Sequence, residues 1–246
     1  MIDDKYTYAD SGGVLVNKLN IRDADRLDVA MNRIATAGMT HLGRQGPPAR
    51  PDAAYLQHVH RTLFSPVLEW AGQLRDVDTG AGGTSVIYAR PAFIPAEMDR
   101  LFGRLKATDY LRGLPREEFA DRLGIAWGDL TAIHPFRDGN TRSQSVYVSM
   151  LAARAGYEIG WPSIDVDHLR EVRLAAVTGR DHDLRALLRE HTIEITHEPG
   201  SRRRVTPDVA RWVGRAPTFL DDDRESRSWH HRAADRHTSA GRDLEF

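Results

Sequence analysis

One stretch of nine residues constrains this chain more than any other, and it reads His134-Pro135-Phe136-Arg137-Asp138-Gly139-Asn140-Thr141-Arg142. It brings together a titratable base, a carboxylate, a glycine, an amide and a guanidinium. Each of these groups is used in the chemistry of phosphate esters. A segment that serves only folding rarely collects all five, which makes this stretch a candidate functional site.

Proline and glycine divide this stretch into the end of one helix and the start of another. Pro135 lacks a main-chain N–H and disfavours helical backbone at His134, so a helix arriving through Leu130 is expected to end there. Residues 138–140 (Asp-Gly-Asn) are typical of a turn. Beyond the turn, apolar residues recur every three or four positions, which predicts a second helix over about residues 141–155. The stretch is therefore predicted as helix, tight loop and helix N-terminus.

The start of the second helix is a candidate anion-binding site, because helix N-termini present unpaired N–H groups and a partial positive charge of ~0.5 e. Gly139 lets a phosphate approach the main chain, and Arg142 can fork onto phosphate oxygens. Asp138 can hold Mg²⁺ together with phosphate oxygens and water. His134 can accept the proton of an incoming hydroxyl. The residues alone leave open a plainer alternative, a capped helix beside a histidine packed in the core.

The longer segment 134–145 resembles the signature of the Fic (filamentation induced by cAMP) family of the Fic/Doc superfamily. That signature runs His-Pro-Phe-x-Asp/Glu-Gly-Asn-Gly/Lys-Arg-x-x-Arg, and this chain reads His-Pro-Phe-Arg-Asp-Gly-Asn-Thr-Arg-Ser-Gln-Ser. Three flanking parts also resemble the family: the helix before its flap (60–64 and 70–75), the flap (82–94) and the N-terminal segment of small bacterial toxin-type members (6–19). The resemblance covers about residues 6–195.

The resemblance implies an all-α, mainly helical Fic fold with a short β-hairpin flap next to the active site. It implies an enzyme that transfers AMP from ATP, its co-substrate, to a Ser, Thr or Tyr hydroxyl of a target protein. His134 is implied as the general base, Phe136 as the structural anchor of the loop and Asp138 as the ligand of Mg²⁺. The residues implied to bind the nucleotide are Gly139, Asn140, Thr141 and Arg142. The flap residues implied to dock the target are Gly82, Gly83, Thr84, Ser85 and Val86.

Two departures from the signature bear on which group is transferred. Thr141 replaces the usual glycine or lysine but keeps a main-chain N–H. Ser145 stands where the family has an arginine that holds the terminal phosphate. The Doc branch also lacks that arginine and transfers phosphate, but Pro135 and Gly139 differ from the Doc pattern, so AMP transfer is favoured. Ser145 also motivates a third alternative, a degenerate Fic fold that binds a nucleotide or a partner without transfer.

The composition limits the cellular compartments and the kinds of partner that are expected for this chain. Net charge is −1 and the isoelectric point about 6.8, so no global field attracts nucleic acid or a membrane. The chain has no cysteine, which fits a reducing compartment. Its start, Met-Ile-Asp-Asp-Lys, lacks the apolar stretch of a secretion signal, and no apolar run approaches ~18 residues. We therefore expect a cytoplasmic protein with neither nucleic acid nor a membrane as a partner.

Helical periodicity dominates the chain. Asp23 is predicted to cap a helix that ends near Gly38, and residues 40–51 are predicted as a loop. Further helices are predicted over 53–64, from Pro95, from Pro115, over 166–178 and over 183–191. The chain is divided into an N-terminal leading segment and helix (1–50), a Fic core (51–195) with flap (76–94) and motif (134–145), and a polar, partly disordered C-terminal tail (196–246).

Regulation is expected from outside the chain. Fic proteins are commonly restrained by a helix with the pattern Ser/Thr-x-x-x-Glu-Gly/Asn. The nearest match by spacing is Ser65 to Glu69, but Trp70 follows and the segment belongs to the core. We therefore expect a small antitoxin that supplies an inhibitory helix, which would make this chain the toxin of a toxin–antitoxin pair.

Overall fold

The structure is a computed structural model and describes residues 5–195. This part contains seven α-helices: α1 (Ala24–Gln45), α2 (Ala53–Phe64), α3 (Ile94–Ala107), α4 (Arg116–Ile133), α5 (Asn140–Ala155), α6 (Val166–Val177) and α7 (His182–His191). It also contains two short strands, β1 (Tyr157–Ile159) and β2 (Thr192–Glu194), which pair antiparallel with Tyr157 opposite Glu194. The predicted mainly helical class is confirmed. The predicted tail over 196–246 lies outside the described residues.

Aspartates fix the beginnings of three helices. The side chains of Asp23, Asp52 and Asp165 accept the main-chain N–H three residues ahead, at the starts of α1, α2 and α6. Such a cap contributes about 1 kcal/mol to a helix, because it satisfies a donor that the helix leaves unpaired. The predicted cap at Asp23 is confirmed.

The predicted end of α1 near Gly38 is wrong, and so is the predicted loop over residues 40–45, because α1 continues to Gln45. Gly38 is buried against α2, where an added Cβ would lie 3.0 Å from Leu63 Cδ2 and 3.0 Å from the carbonyl oxygen of Thr62. Its role is close helix–helix packing, which sequence alone does not distinguish from helix termination.

The central element is α5, which is buried along its length from Asn140 to Ala152. It packs against α2 and α4, while α4 also packs against α6 and α7. Trp127 of α4 meets Trp161 edge-on with ring centroids 5.9 Å apart, and the Trp161 indole N–H donates to Ser149 of α5 at 2.9 Å. These contacts set the N-terminus of α5 in the interior of the helical assembly.

The flap forms a hairpin that is too short to contain regular β-strands. One antiparallel bridge joins Gly80 to Ile87, with hydrogen bonds from Ala81 N–H to Val86 and from Tyr88 N–H to Thr79. The sheet formed by β1 and β2 was not predicted, because its two short segments are far apart in sequence. Within residues 5–195, no helix is both long and apolar enough to cross a membrane.

Candidate active site

His134 ends α4 in a left-handed conformation with φ 46° and ψ 63°. This outcome agrees with the prediction that Pro135 excludes His134 from the helix. Its N–H still donates to the carbonyl of Leu130 at 3.1 Å, so the turn closes the helix. The imidazole is 4% exposed and stacks on the ring of Tyr88, with centroids 3.7 Å apart and planes 6° from parallel. The flap residue Tyr88 therefore orients the candidate base.

Phe136 holds the loop that follows. Its side chain is fully buried and stacks on the ring of His60 with centroids 3.9 Å apart. The amide of Asn140 accepts the N–H of Phe136 at 2.9 Å and donates to its carbonyl at 2.8 Å. The Asn140 side chain thus closes the loop, which leaves its main-chain N–H as the group suited to an anion.

Gly139 lies at the junction of the loop and α5. Its φ of 77° belongs to the left-handed region, which glycine adopts without strain. An added Cβ would lie 2.4 Å from Cε2 of Phe64. The glycine is therefore required by the packing of α2 against this turn, a reason that the sequence did not reveal.

His60 links the loop to the segment before the flap. Its Nδ1 accepts the N–H of Gly72 at 2.8 Å, so the proton resides on Nε2, which donates to the carbonyl of Asp138 at 2.9 Å. Burial lowers the pKa of His60 from 6.5 to about 4. The carbonyl and charge of Asp138 raise this pKa, whereas the charges of Arg142 and Arg61 lower it. His60 is a neutral, positioning histidine in the folded protein.

Asp138 and Arg142 form a buried pair, with Arg142 Nη2 3.3 Å from Asp138 Oδ1 and side chains 3% and 1% exposed. Arg142 also donates to Asn32 of α1 at 3.2 Å and lies over the ring of Phe64, 4.7 Å from its centroid. The predicted metal ligand and the predicted phosphate-binding cation are therefore neighbours one turn apart.

Arg173 of α6 was missed by the sequence analysis. Its guanidinium lies 3.4 Å from Thr141 Oγ1 and 3.3 Å from Gln144 Oε1, and its side chain is buried. Ser145, which occupies the position of the signature arginine, is fully buried on α5, the helix that carries Thr141 and Gln144. No local pattern marks Arg173, because only the packing of α6 on α4 brings it to α5.

The flap tip is held by Thr84, whose hydroxyl donates to the carbonyl of Ala81 and accepts the N–H of Val86. The carbonyl of Gly82 accepts from Arg170 of α6 at 3.3 Å. Gly83 and Ser85 are exposed. The predicted docking residues thus form one hydrogen-bonded turn that contacts α6, and the chain beyond this turn meets α4 where the N–H of Ala89 donates to Ala132 at 2.9 Å.

The predicted carboxylate ligand of magnesium, Asp138, is buried beside Arg142. Within residues 5–195, no group of three or more histidine, cysteine, aspartate or glutamate side chains converges. Mg²⁺ is commonly held by one or two carboxylates together with substrate phosphates and water. The donor set therefore fits a magnesium ion that arrives with a nucleotide.

Comparison with known proteins identifies relatives along most of the chain. It is 31% identical over 224 residues to the protein adenylyltransferase VbhT of Bartonella schoenbuchensis, which covers 91% of this chain and 45% of that protein. It is 33% identical over 174 residues to the probable protein adenylyltransferase Fic of Escherichia coli, covering 71% of this chain and 84% of that protein. The chain thus spans less than half of VbhT but most of the Escherichia coli protein. These names support the prediction of a nucleotidyltransferase.

Solved structures with the same fold include the N-terminal Fic domain of a Bartonella quintana effector with bound ADP, at 28% identity and a TM-score of 0.73. Another is BepC of Bartonella tribocorum with bound AMPPNP, at 27% identity and a TM-score of 0.71. Each match covers 77% of this chain, and 94% and 96% of the respective structures. The sequence model of the Fic/DOC family matches residues 50–152, which hold α2, the flap and the motif. With relatives matched over most of their length and the signature loop folded between α4 and α5, the chain belongs to the Fic/DOC family.

Proposed function

We propose that this chain is a protein adenylyltransferase that transfers AMP from ATP to a hydroxyl side chain of a target protein. The observation that carries the proposal is the juxtaposition at one loop of an imidazole, His134, and the N-terminus of α5 with its Asp138–Arg142 pair. The names of the curated relatives and the nucleotides bound to the solved neighbours support the same conclusion.

The reaction joins the target hydroxyl oxygen to the α-phosphorus of ATP. The bond from the α-phosphorus to the bridging oxygen breaks, and pyrophosphate leaves. His134 accepts the hydroxyl proton as general base. In such transfers the protein mainly positions the groups and stabilises charge, so the fixed orientation of His134 against Tyr88 is what this step requires.

The phosphates bind at the start of α5. We assign Gly139, Asn140 and Thr141 to an anion cradle, because the N-terminus of a helix carries a partial positive charge and directs main-chain N–H groups towards a bound anion. Arg142 forks onto phosphate oxygens after leaving its contact with Asp138, and Arg173 approaches the same turn from α6.

Asp138 is then available to hold Mg²⁺ with the phosphates. The ion, when bound, neutralises negative charge on the phosphate oxygens. A buried carboxylate requires a compensating charge, which Arg142 supplies in this structure and a bound cation would supply in its place.

The flap presents an edge for the target chain. Within the described residues, the main-chain N–H and C=O groups of Ser85 and Ile87 make no hydrogen bond. The bridge between Gly80 and Ile87 is a non-hydrogen-bonded pair, so the main-chain groups of Ile87 face away from the paired segment, on the same side as the N–H of Ala89 that donates to Ala132 of α4. A target segment that adds to this edge as a strand would bring its hydroxyl towards the base. Main-chain pairing of this kind selects backbone geometry more than side-chain identity.

The test uses ATP labelled at the α-phosphate, Mg²⁺ and a bacterial lysate. We expect labelled protein bands with wild type and with His58→Ala, an exposed histidine on α2, and none with His134→Ala. Equal labelling by His134→Ala, or no labelling by wild type, would refute the proposal.

Ser145 makes phosphate transfer the second candidate, since the signature arginine is absent from this position. ATP labelled at the γ-phosphate distinguishes the two in a parallel reaction, because only phosphate transfer moves that label to protein. Tight ATP binding by calorimetry with transfer of neither label would instead support the degenerate binding module.

We also propose that the protein acts in the cytoplasm as the toxin of a toxin–antitoxin pair, with a small partner that supplies an inhibitory helix. The proposal is supported by the resemblance to small bacterial toxin-type members. Expression of wild type should arrest growth, and His134→Ala should not. Arrest by both proteins, or by neither, would contradict it.

A further inference from the structure

Arg75 joins the flap to the end of α4. Arg75 is 3% exposed, and within residues 5–195 its guanidinium donates only to main-chain carbonyls. Nη1 donates to Val77 at 2.8 Å and Nη2 donates to Ala89, the residues that flank the Gly80–Ile87 bridge on either side and are called the flap ends here. Nε donates to His134 at 2.7 Å, and Nη2 also reaches Ile133 at 3.2 Å. One side chain therefore holds both ends of the flap and the main chain of the candidate base.

The main chain of Arg75 strengthens the same junction, because its N–H donates to the carbonyl of Pro135 at 2.9 Å. The contacts thus cover three consecutive residues from the last residue of α4 to the first residues of the loop.

Electrostatics explain how a buried cation is tolerated here. Burial lowers the pKa of Arg75 to about 10, while the charge of Asp78 raises it and that of Arg137 lowers it. The guanidinium therefore stays charged at neutral pH. The α4 C-terminus presents carbonyls at the negative end of the helix dipole, which favours a cation at this point. Only a planar fork of five donors can serve four carbonyls at once, so lysine cannot replace it.

We propose that Arg75 is a positioning residue of the transferase, one that sets the flap and His134 as a single unit. The inference rests on the proposed function. A target segment paired with the flap edge is then held at a fixed distance from the imidazole, because both are fastened to the same guanidinium. The nucleotide cradle depends on other contacts, those of Asn140 with Phe136 and of His60 with Asp138.

The test compares Arg75→Lys with Arg116→Lys. Arg116 is a matched control, since its guanidinium also donates to main-chain carbonyls, those of Arg189 and Thr192, at the opposite end of α4. With Arg75→Lys we expect transfer from α-labelled ATP to lysate protein to fall at least tenfold while the Kd for ATP stays within about twofold. Arg116→Lys should transfer as wild type does.

Hydrogen exchange supplies a readout independent of activity. The amides of Tyr88 and Ala89, at one end of the flap, should exchange faster in Arg75→Lys and at the wild-type rate in Arg116→Lys. Unchanged exchange at these amides, or wild-type labelling by Arg75→Lys, would overturn the inference. Absence of labelling by wild type would instead contradict the proposed function. The exchange comparison would then test only whether Arg75 holds the flap in place.

A measurement on the wild type covers the case in which Arg75→Lys does not fold. The Nε–H of Arg75, bonded to His134, should exchange with solvent about tenfold more slowly by NMR than the Nε–H of Arg116, whose side chain is 38% exposed. Equal exchange rates of the two groups would overturn the inference.

Discussion

Acidification should destabilise the folded protein through His60, and replacing this residue should remove the effect. The fully buried ring accepts the Gly72 N–H through Nδ1 and donates to Asp138 through Nε2. Protonation of Nδ1 would convert its lone pair into a donor that faces another donor. The folded state therefore holds the neutral form, as the lowered pKa of about 4 indicates.

The magnitude follows from linkage between proton binding and folding. Because the folded-state pKa lies below the unfolded value of 6.5, the unfolded chain binds more protons between pH 6.5 and pH 4. The stabilisation is complete above pH 6.5 and is lost as the pH falls towards 4. The loss amounts to about 2 kcal/mol by pH 5 and about 3 kcal/mol by pH 4, from ~1.4 kcal/mol per unit of pKa difference.

The assay is urea unfolding between pH 7.5 and pH 5 without nucleotide or added metal. Three proteins are compared: wild type, His60→Gln and the control His58→Gln, which changes an exposed histidine on the same helix. His60→Gln should be less stable than wild type at pH 7.5, because one of two buried hydrogen bonds is lost. The difference should shrink by about 2 kcal/mol at pH 5, since only wild type has the buried imidazole to titrate.

A stability difference between wild type and His60→Gln that stays constant from pH 7.5 to pH 5 would refute the reasoning. It would mean that the ring is protonated in the folded protein or reached by water. If the difference in the free energy of unfolding between wild type and His58→Gln changed with pH by the same amount, the effect would belong to α2 generally and not to the buried imidazole of His60.

Three further predictions follow from packing and charge. Gly139→Ala should lower the free energy of unfolding by about 2–4 kcal/mol, because the added methyl meets Phe64 at a positive φ, and the cost should be smaller in a Phe64→Leu background. Gly38→Ala should lower the free energy of unfolding, measured with urea, because the added methyl disturbs the packing of α1 on α2. Gly103→Ala, at an open helical position in α3, should raise the same free energy by about 0.5–1 kcal/mol. Arg173→Met should weaken binding of ATP about tenfold or more by calorimetry while AMP binding stays unchanged; equal loss for both ligands would contradict a role at the terminal phosphates.

The helix–loop–helix at the motif could be predicted because its determinants are local. Pro135 ends α4 through its own ring, and Gly156 ends α5 by adopting a left-handed conformation. The boundaries of α2 were predicted at both ends for the same reason, with Asp52 capping its start. Where the local residues determine the end of a helix, the sequence at that position is sufficient to predict it.

The rest of the site depends on contacts between distant parts of the chain. His60 and Asp138 are 78 residues apart, and Arg75 lies 59 residues before His134. His60 and Arg75 lie in the segments that resemble the family's helix before the flap, but the resemblance implied no role for either residue. A histidine or arginine gives no local sign of which carbonyl it will meet. The same limit concealed Arg173, which reaches α5 only through the packing of α6.

The loop between α4 and α5 is held at each of its parts by a different neighbour. Arg75 fastens its start at His134, Asn140 closes it around Phe136, and His60 fixes the carbonyl of Asp138. A loop restrained in this way would hold the proposed base and the proposed anion cradle in position before substrate arrives, and such pre-organisation accelerates group-transfer reactions. Under the proposed function, the adjustable element of the loop is the Asp138–Arg142 contact, because a magnesium nucleotide would offer each side chain an alternative partner. Nucleotide binding should therefore exchange one set of ionic contacts for another while the main chain of the loop stays in place, and selection among target proteins is left to the flap edge.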